Sequence, residues 1–326
     1  MHNRARQISW CLAALAALLA CIVVPARAAY PERPVRLLVP FPPGGAVDLV
    51  ARLLAAHLAA DLGRPFLVDS RSGAGGILAT DAVAKAAPDG YTLLLTTPNH
   101  TINAALNPRL PYDTERDLVP VAMVAEIPEL LVSHASAPFA DFAGFVADAR
   151  SHPGKLNYAS AGIGTLPHVS MELMLRRLGL KVTHVPYKGA APAMTDLLAG
   201  QVQLKMDTYA TSIQYIGDGK LRALAIASGT RSSLMPDVPT IAEQGLPGYE
   251  GILWIGMMAP AGTPKSVIDR LAAASARAVR PPDMVERFRH DGVEPGGDPP
   301  DAFGARIGRE IAQWRDLIRS SNITAE

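Results

Sequence analysis

Cysteine is almost missing from this chain. Only Cys11 and Cys21 occur among 326 residues, and both lie in the first 28. Once such a leader is removed, disulfides, thiolate metal sites and cysteine nucleophiles are all excluded. No H-E-x-x-H or C-x-x-C is present and the eight histidines are scattered, so the sequence calls for no metal and no cofactor. Neither glycine-rich turn is followed by Lys and Ser or Thr, which removes the phosphate-gripping loop of nucleotide hydrolases. Ser160 has Tyr158 where a nucleophile elbow needs glycine, so a hydrolase is a weak alternative. Charge of one sign is lacking too. Lys plus Arg number 31 against 30 acidic residues, and loss of Arg4, Arg6 and Arg27 leaves the remaining chain near −2. With no basic stripe, nucleic acid is not an expected partner.

A single long apolar run is present, Ile8 to Val24, preceded by Arg4 and Arg6 and followed by Ala26, Arg27 and Ala28. These are the three parts of a secretory signal, with cleavage expected after Ala28 and export to the periplasm. A lipobox at Leu18 to Cys21, with Cys21 kept as a lipid anchor, competes with that reading. About half the composition is apolar and the length suits two domains.

The stretch Val35 to Leu54 organises the remainder. Val35 to Val39 reads as a buried strand stopped by Pro40, Pro42 and Pro43, and Leu49, Val50, Leu53, Leu54 and Leu58 recur at helical spacing. Gly44, Gly45 and Ala46 therefore sit at a helix N-terminus, where unpaired N–H groups and the helix dipole favour an anion. A second junction of this kind follows far along the chain. Leu156 to Ser160 reads as a strand, Ala161 to Thr165 as a turn and Pro167 to Leu178 as a helix.

Between and beyond them, Phe66 to Asp69 reads as a strand, Ile77 to Ala86 as a helix and Tyr91 to Thr97 as a strong strand. Gly73 to Gly76 only imitates a dinucleotide fingerprint, because Leu78 stands where a small residue is needed. Pro98, Asn99, His100 and Thr101 are expected to form a polar loop at a strand end, where ligands collect in parallel sheets. Leu118 to Val124 and Leu130 to Val132 read as two strands flanking a crossing into a second domain. That domain holds a helix over 141–150, strands near 182–185, 202–206 and 221–226, and a helix over 191–199. Gly251 to Met258 reads as a return strand, Thr263 and Pro264 as the start of a helix ended by Pro281 and Pro282. Phe303, Ile307, Ile311, Trp314 and Ile318 mark a last amphipathic helix, expected to pack on the first domain.

The blocks PERPVRLLVPFPPGGAVDLVARLLA, SGAGG, AKAAPDGYTLLL, LPYD, LNYASAGIGT, HVPYKGAAPAMTDLLAGQV, GKLRALA, PDVPT, GLPGYE and APAGTPK closely resemble, in order and spacing, the Bug family, the periplasmic receptors of tripartite tricarboxylate transporters. The resemblance runs from about Tyr30 to the C-terminus. It implies an α/β type II periplasmic-binding-protein fold, with two lobes joined by crossover strands around a ligand cleft. The boundaries expected are a signal peptide over 1–28, one discontinuous lobe over 29–129 and 250–326, and a second over 130–249. It also implies a monomer that binds a carboxylate, catalyses nothing and docks on a membrane permease of a large and a small subunit. A ligand-presenting partner of a membrane kinase is the alternative.

By the same resemblance Phe41, Pro42, Gly44, Gly45 and Ala46 match the first-lobe ligand loop, and Thr97, Asn99 and His100 fall in the loop after the third strand. Ser160, Ala161, Gly162, Gly164, Thr165 and His168 match the second socket, and Asp207 an acidic position facing the cleft. Ala46 and Val47 replace hydroxylated residues common after PPGG, and Leu166 and Pro167 do so before His168. These departures point to a carboxylate with an apolar or aromatic body, with Tyr209 as a stacking wall. Asp207 also keeps an amino-acid ligand open.

Overall fold

A computed structural model describes residues 30–324; the expected leader and its cleavage site lie outside them. Ten strands and ten α-helices are described in Arg33–Glu326, which forms one compact unit. In chain order these are β1 (Val35–Val39), α1 (Ala46–Leu62), β2 (Phe66–Ser70), α2 (Ile77–Ala84), β3 (Thr92–Thr96), α3 (Asn99–Leu106) and β4 (Leu118–His134). Then come α4 (Phe142–Ser151), β5 (Asn157–Ser160), α5 (Leu166–Leu178), β6 (Thr183–Pro186), α6 (Ala190–Leu198), β7 (Leu204–Thr208), α7 (Tyr209–Gly217) and β8 (Leu221–Ile226). The chain closes with β9 (Ile252–Pro260), α8 (Lys265–Ala278), α9 (Pro282–His290), β10 (Glu294–Pro295) and α10 (Pro300–Ser320).

The strands make two half-sheets that share β4. In one, β2, β1 and β3 run parallel, and β9 joins β3 to β4 antiparallel to both. In the other, β7, β5 and β6 run parallel while β7 and β8 pair antiparallel with β4. Parallel strands with helical crossovers are buried on both faces, which explains continuous apolar runs such as Leu93, Leu94 and Leu95, all 0 % exposed.

Where two short strands were expected, β4 is one strand of 17 residues, and the expected boundary at 129/130 falls inside it. Pro120 and Pro128 interrupt its apolar pattern without breaking it. The register shifts between Pro120 and Ala122, and Pro128 is the last residue paired with β9 before Glu129 pairs with β7. A proline, lacking an N–H, fits at such a bulge or change of partner.

Three further expectations give way. Asn99 to Leu106 is helix, not polar loop. Pro282 does not merely end α8 but opens α9, where its missing N–H costs nothing. Thr263 does not cap, since its hydroxyl donates to the Pro260 carbonyl at 2.7 Å.

The last helix does more than expected. Its Phe303, Ile307 and Ile311 pack with Leu38, Leu94 and Met258 of the first half-sheet. Its Trp314, Leu317 and Ile318 pack with Ile102 of α3 and with Leu166 and Val169 of α5. One amphipathic face thus ties both halves.

Candidate ligand-binding site

In each half the carboxyl ends of the parallel strands carry the expected loops, the place where ligands bind in open α/β sheets. After β1, Phe41 is half-buried and Pro42, Pro43, Gly44 and Gly45 are exposed. Gly44 has φ +93°, a left-handed conformation that favours glycine. Its N–H is not available to a ligand, because Asp48 Oδ2 accepts it at 3.0 Å. Arg52 Nε donates to the same oxygen at 2.9 Å, and this bond, aided by Gly44, holds the Asp48 carboxyl below its usual range against the pull of burial. The next amides, those of Ala46, Val47 and Asp48, have no acceptor within the described residues. They are the part of the first socket that faces outward from the helix end.

At the end of β3, Thr97 is 0 % and His100 2 % exposed. Among the described residues, Thr97 Oγ1 and both His100 ring nitrogens lack hydrogen-bond partners. Burial pushes the His100 pKa down to about 4, so the ring is neutral at pH 7. Such groups are costly to leave unpaired, about 1–3 kcal/mol each, and cluster where a ligand or water completes them. Asn99 is half-buried, with its amide 3.5 Å from the Gly75 carbonyl, which Asn103 Nδ2 meets more closely at 3.0 Å.

In the second half, Ser160 is fully enclosed. Its Oγ accepts the Gly162 N–H at 3.1 Å and lies 2.7 Å from His184 Nε2. The structure therefore sets Ser160 behind the loop as a brace, not on its outer wall. Thr165 is similarly turned inward, its hydroxyl donating to the Gly162 carbonyl at 2.7 Å. His168 Nδ1 accepts the Gly164 N–H at 3.1 Å, and its ring stacks on His184 at 4.1 Å between centroids. Burial, reinforced by His184, lowers the His168 pKa to about 3, and burial lowers that of His184 to about 4. Two neutral rings can stack; two imidazolium rings at that distance would repel. The amides of Ala161, Ile163 and Leu166 have no acceptor among the described residues, which leaves them free at this helix start.

Asp207 is buried, with Oδ1 2.6 Å from Lys205 Nζ and Oδ2 accepting from Ser212 at 2.9 Å. It is already compensated, which removes the reason for reserving it for a ligand ammonium. Tyr209, expected as a stacking wall, packs on the Gly292 turn: a β-carbon at Gly292 would lie 2.5 Å from Tyr209 Cβ. Leu166, counted as a departure lining the cleft, is 3 % exposed and packs with Ile102 and Trp314.

A chain of contacts links the two loops. Pro40 touches Gly76, Gly75 holds Asn103, and Leu106 at the end of α3 presses on Gly164, where a β-carbon would sit 2.5 Å from Leu106 Cδ2. His184, Lys205 and Glu129 were not foreseen as parts of this region. The alternation Tyr158, Ser160 places two polar groups on one strand face, but pairing them with His184 needs the β5–β6 register. The Ser160–His184 contact resembles a nucleophile and base, yet Ser160 Oγ is already engaged with both the N–H and the carbonyl of Gly162, and no carboxylate orients His184 among the described residues. Among those residues no group of three or more His, Cys, Asp or Glu is placed to hold a metal, and no helix is long and apolar enough to cross a membrane.

Residues 50–323 match the family model described as tripartite tricarboxylate transporter family receptor. The protein BugT of Bordetella pertussis is 39 % identical over 294 residues, 90 % of each chain. Among solved structures, Rpa4515 of R. palustris with adipate is 36 % identical with a TM-score of 0.80, over 90 % of this chain and 99 % of that one. MatC of Rhodopseudomonas palustris with bound malate is 37 % identical with a TM-score of 0.76, over 89 % and 100 %.

Proposed function

Because the chain belongs to the tripartite tricarboxylate transporter receptor family, a family of periplasmic solute-binding proteins and not of enzymes, we propose that it captures an organic carboxylate with an apolar body and hands it to a permease of large and small subunits. The ligand lies between a first lobe over 29–129 and 250–326 and a second over 130–249, in a monomer exported by a leader cleaved after Ala28. The change of partner at Pro128 and Glu129 supports that division.

One observation carries the ligand reading. Thr97 Oγ1 and the His100 ring are buried and, among the described residues, unpartnered after β3, which runs parallel beside β1, the strand that leads to the free amides of Ala46 and Val47. A carboxylate oxygen accepts from such groups, and the neutral His100 ring supplies one N–H. The loop itself offers Phe41, Pro42 and Ala46 and no side-chain hydroxyl, which suits methylenes better than a ligand hydroxyl. The apolar preference no longer draws on Leu166 or Tyr209. A malate-type hydroxyl buried without a partner loses about 1–3 kcal/mol, or roughly 5- to 150-fold in affinity.

Titration calorimetry with adipate, benzoate, malate and citrate tests this. Adipate or benzoate is expected to bind more tightly than malate or citrate, and the reverse order overturns the ligand class. Gly45 has φ −87° and open space at its β-carbon position, so Gly45→Leu is expected to fold normally and abolish binding. Undiminished binding by that variant removes the first loop from the site. Gly164 is unsuited to such a test, since φ +73° and Leu106 make any side chain there disruptive.

A further inference from the structure

Glu129 is a buried acid that the site does not use. It is 2 % exposed and stands where β4 leaves β9 and takes up β7. Three segments cross at this residue. The Glu129 N–H donates to the Gly251 carbonyl at 2.9 Å, the Ala227 N–H donates to the Glu129 carbonyl at 2.8 Å, and the Gly251 N–H donates to the Ala227 carbonyl at 2.8 Å. A β-carbon on Gly251 would lie 3.3 Å from Glu129 Oε2, so glycine makes room for the carboxyl.

Two separate counts place a proton on this acid. Ser170 Oγ, on α5, is 2.5 Å from Glu129 Oε2 and 2.8 Å from the Leu166 carbonyl. The hydroxyl has one proton and faces two acceptors. Both contacts are satisfied when Glu129 is a neutral acid that donates to Ser170, which then donates to Leu166. The second count is of charge. Lys205, on β7, is the buried cation whose field reaches Glu129, and it already pairs with Asp207 at 2.6 Å. An ionised Glu129 would be a second carboxylate against one ammonium, in a place shielded from water. From the segment before β9, Tyr249 adds no compensation, since its hydroxyl donates to the Ser170 carbonyl at 2.7 Å, and Arg177 of α5 acts on Tyr249. Burial, opposed by Ser170 and Lys205 and reinforced by Asp207, raises the Glu129 pKa to about 8.

The acid is bonded through Ser170 to the first turn of α5, the helix whose N-terminal loop meets α3 at Gly164 and Leu106. We propose that closing of the two halves about this crossing takes up one proton from solvent at Glu129, and that opening hydrates the carboxyl and releases it. This rests on the reading of the chain as a receptor that closes on a carboxylate. Glu129 is then a positioning residue that makes ligand affinity depend on pH.

Calorimetry with adipate, whose carboxylates stay ionised near neutral pH, in buffers of different ionisation enthalpy counts the protons taken up. The wild-type chain is expected to gain up to one proton, with affinity falling by up to about tenfold per pH unit as pH rises from about 6 toward 8 and levelling off above that. Glu129→Gln keeps the shape and donates to Ser170, so it is expected to bind adipate within a few-fold of wild type, with no proton uptake and a flat pH profile. The infrared carbonyl band of a protonated carboxyl should be present in the adipate-saturated wild type. It should be absent from the variant, and its titration in the wild type stands even where the variant does not fold. Binding without proton uptake, uptake unchanged in Glu129→Gln, or no acid band in the saturated protein overturns the coupling alone. Failure of every probe acid to bind overturns the receptor reading and the coupling with it.

Discussion

Lys205→Met is the sharpest test of how the second half is held together. The side chains of Lys205 and Asp207 are 1 % and 6 % exposed and meet at 2.6 Å. Removing the ammonium leaves Asp207 with only the Ser212 hydroxyl at 2.9 Å, in a site that water does not reach. Breaking one partner of such a pair costs about 3–5 kcal/mol, whereas replacing both by apolar side chains is close to neutral. At about 2–3 °C per kcal/mol for a chain of this size, the melting temperature should fall by roughly 6–15 °C at pH 7. Urea unfolding of Lys205→Met, Asp207→Leu and the double variant measures it, and the double variant should recover most of the loss. A cost below about 1 kcal/mol for Lys205→Met, the range of an exposed pair, refutes the picture of a dry ion pair.

Stability should peak near pH 6.5. His100, His168 and His184 have folded pKa values of about 4, 3 and 4 against an ordinary 6.5, so the unfolded chain binds more protons and stability is lost as pH falls through that window; Glu129, at about 8 against 4.5, works oppositely and its contribution is lost as pH rises toward 8. Urea unfolding at intervals from pH 4 to 9, with adipate saturating so that the halves stay closed on Glu129, checks both slopes, and a maximum at or above pH 8 contradicts them. Thr97→Val should leave the ligand-free protein at least as stable as wild type, because Oγ1 is buried with no partner among the described residues, yet weaken adipate binding by about tenfold, the worth of one hydrogen bond. Equal binding by that variant places the ligand away from Thr97.

Local signals in this chain were legible and long-range ones were not. Spacings of four, four, three and four from Phe303 to Ile318 fix a helix face whatever it packs on, and all five side chains are buried. What that face touches was only half visible, because its partners Ile102, Leu166 and Val169 are far away in sequence. β4 was read as two strands since Glu126, Pro128 and Glu129 interrupt a hydrophobic run, and only the pairing partners show why the backbone continues. α3 was hidden by Pro98, Asn99 and His100, polar residues that normally mark a loop. The structure buries His100 without a partner, a position no propensity describes. The glycine turns were found where they stand. Whether an amide such as that of Gly44 faces outward or is taken by Asp48 depends on side-chain geometry that sequence does not carry.

The two halves meet a ligand's needs in different ways. In the second half Ser160, His168, His184, Asp207 and Lys205 bond to one another or to the loop behind which they lie. That loop is thereby braced, and it offers a ligand only backbone N–H groups whose directions are fixed in advance. In the first half Thr97 and His100 hold unspent hydrogen-bonding capacity in a dry setting. On the function proposed above, a ligand carboxylate would relieve that deficit at once, drawing its binding energy from repair of the first half and its orientation from the rigidity of the second. Substitutions in the brace should therefore lower stability and affinity together. Substitutions at Thr97 or His100 that keep the packing should lower affinity while leaving the empty protein at least as firm as before, and that separation distinguishes a repaired site from a merely polar surface.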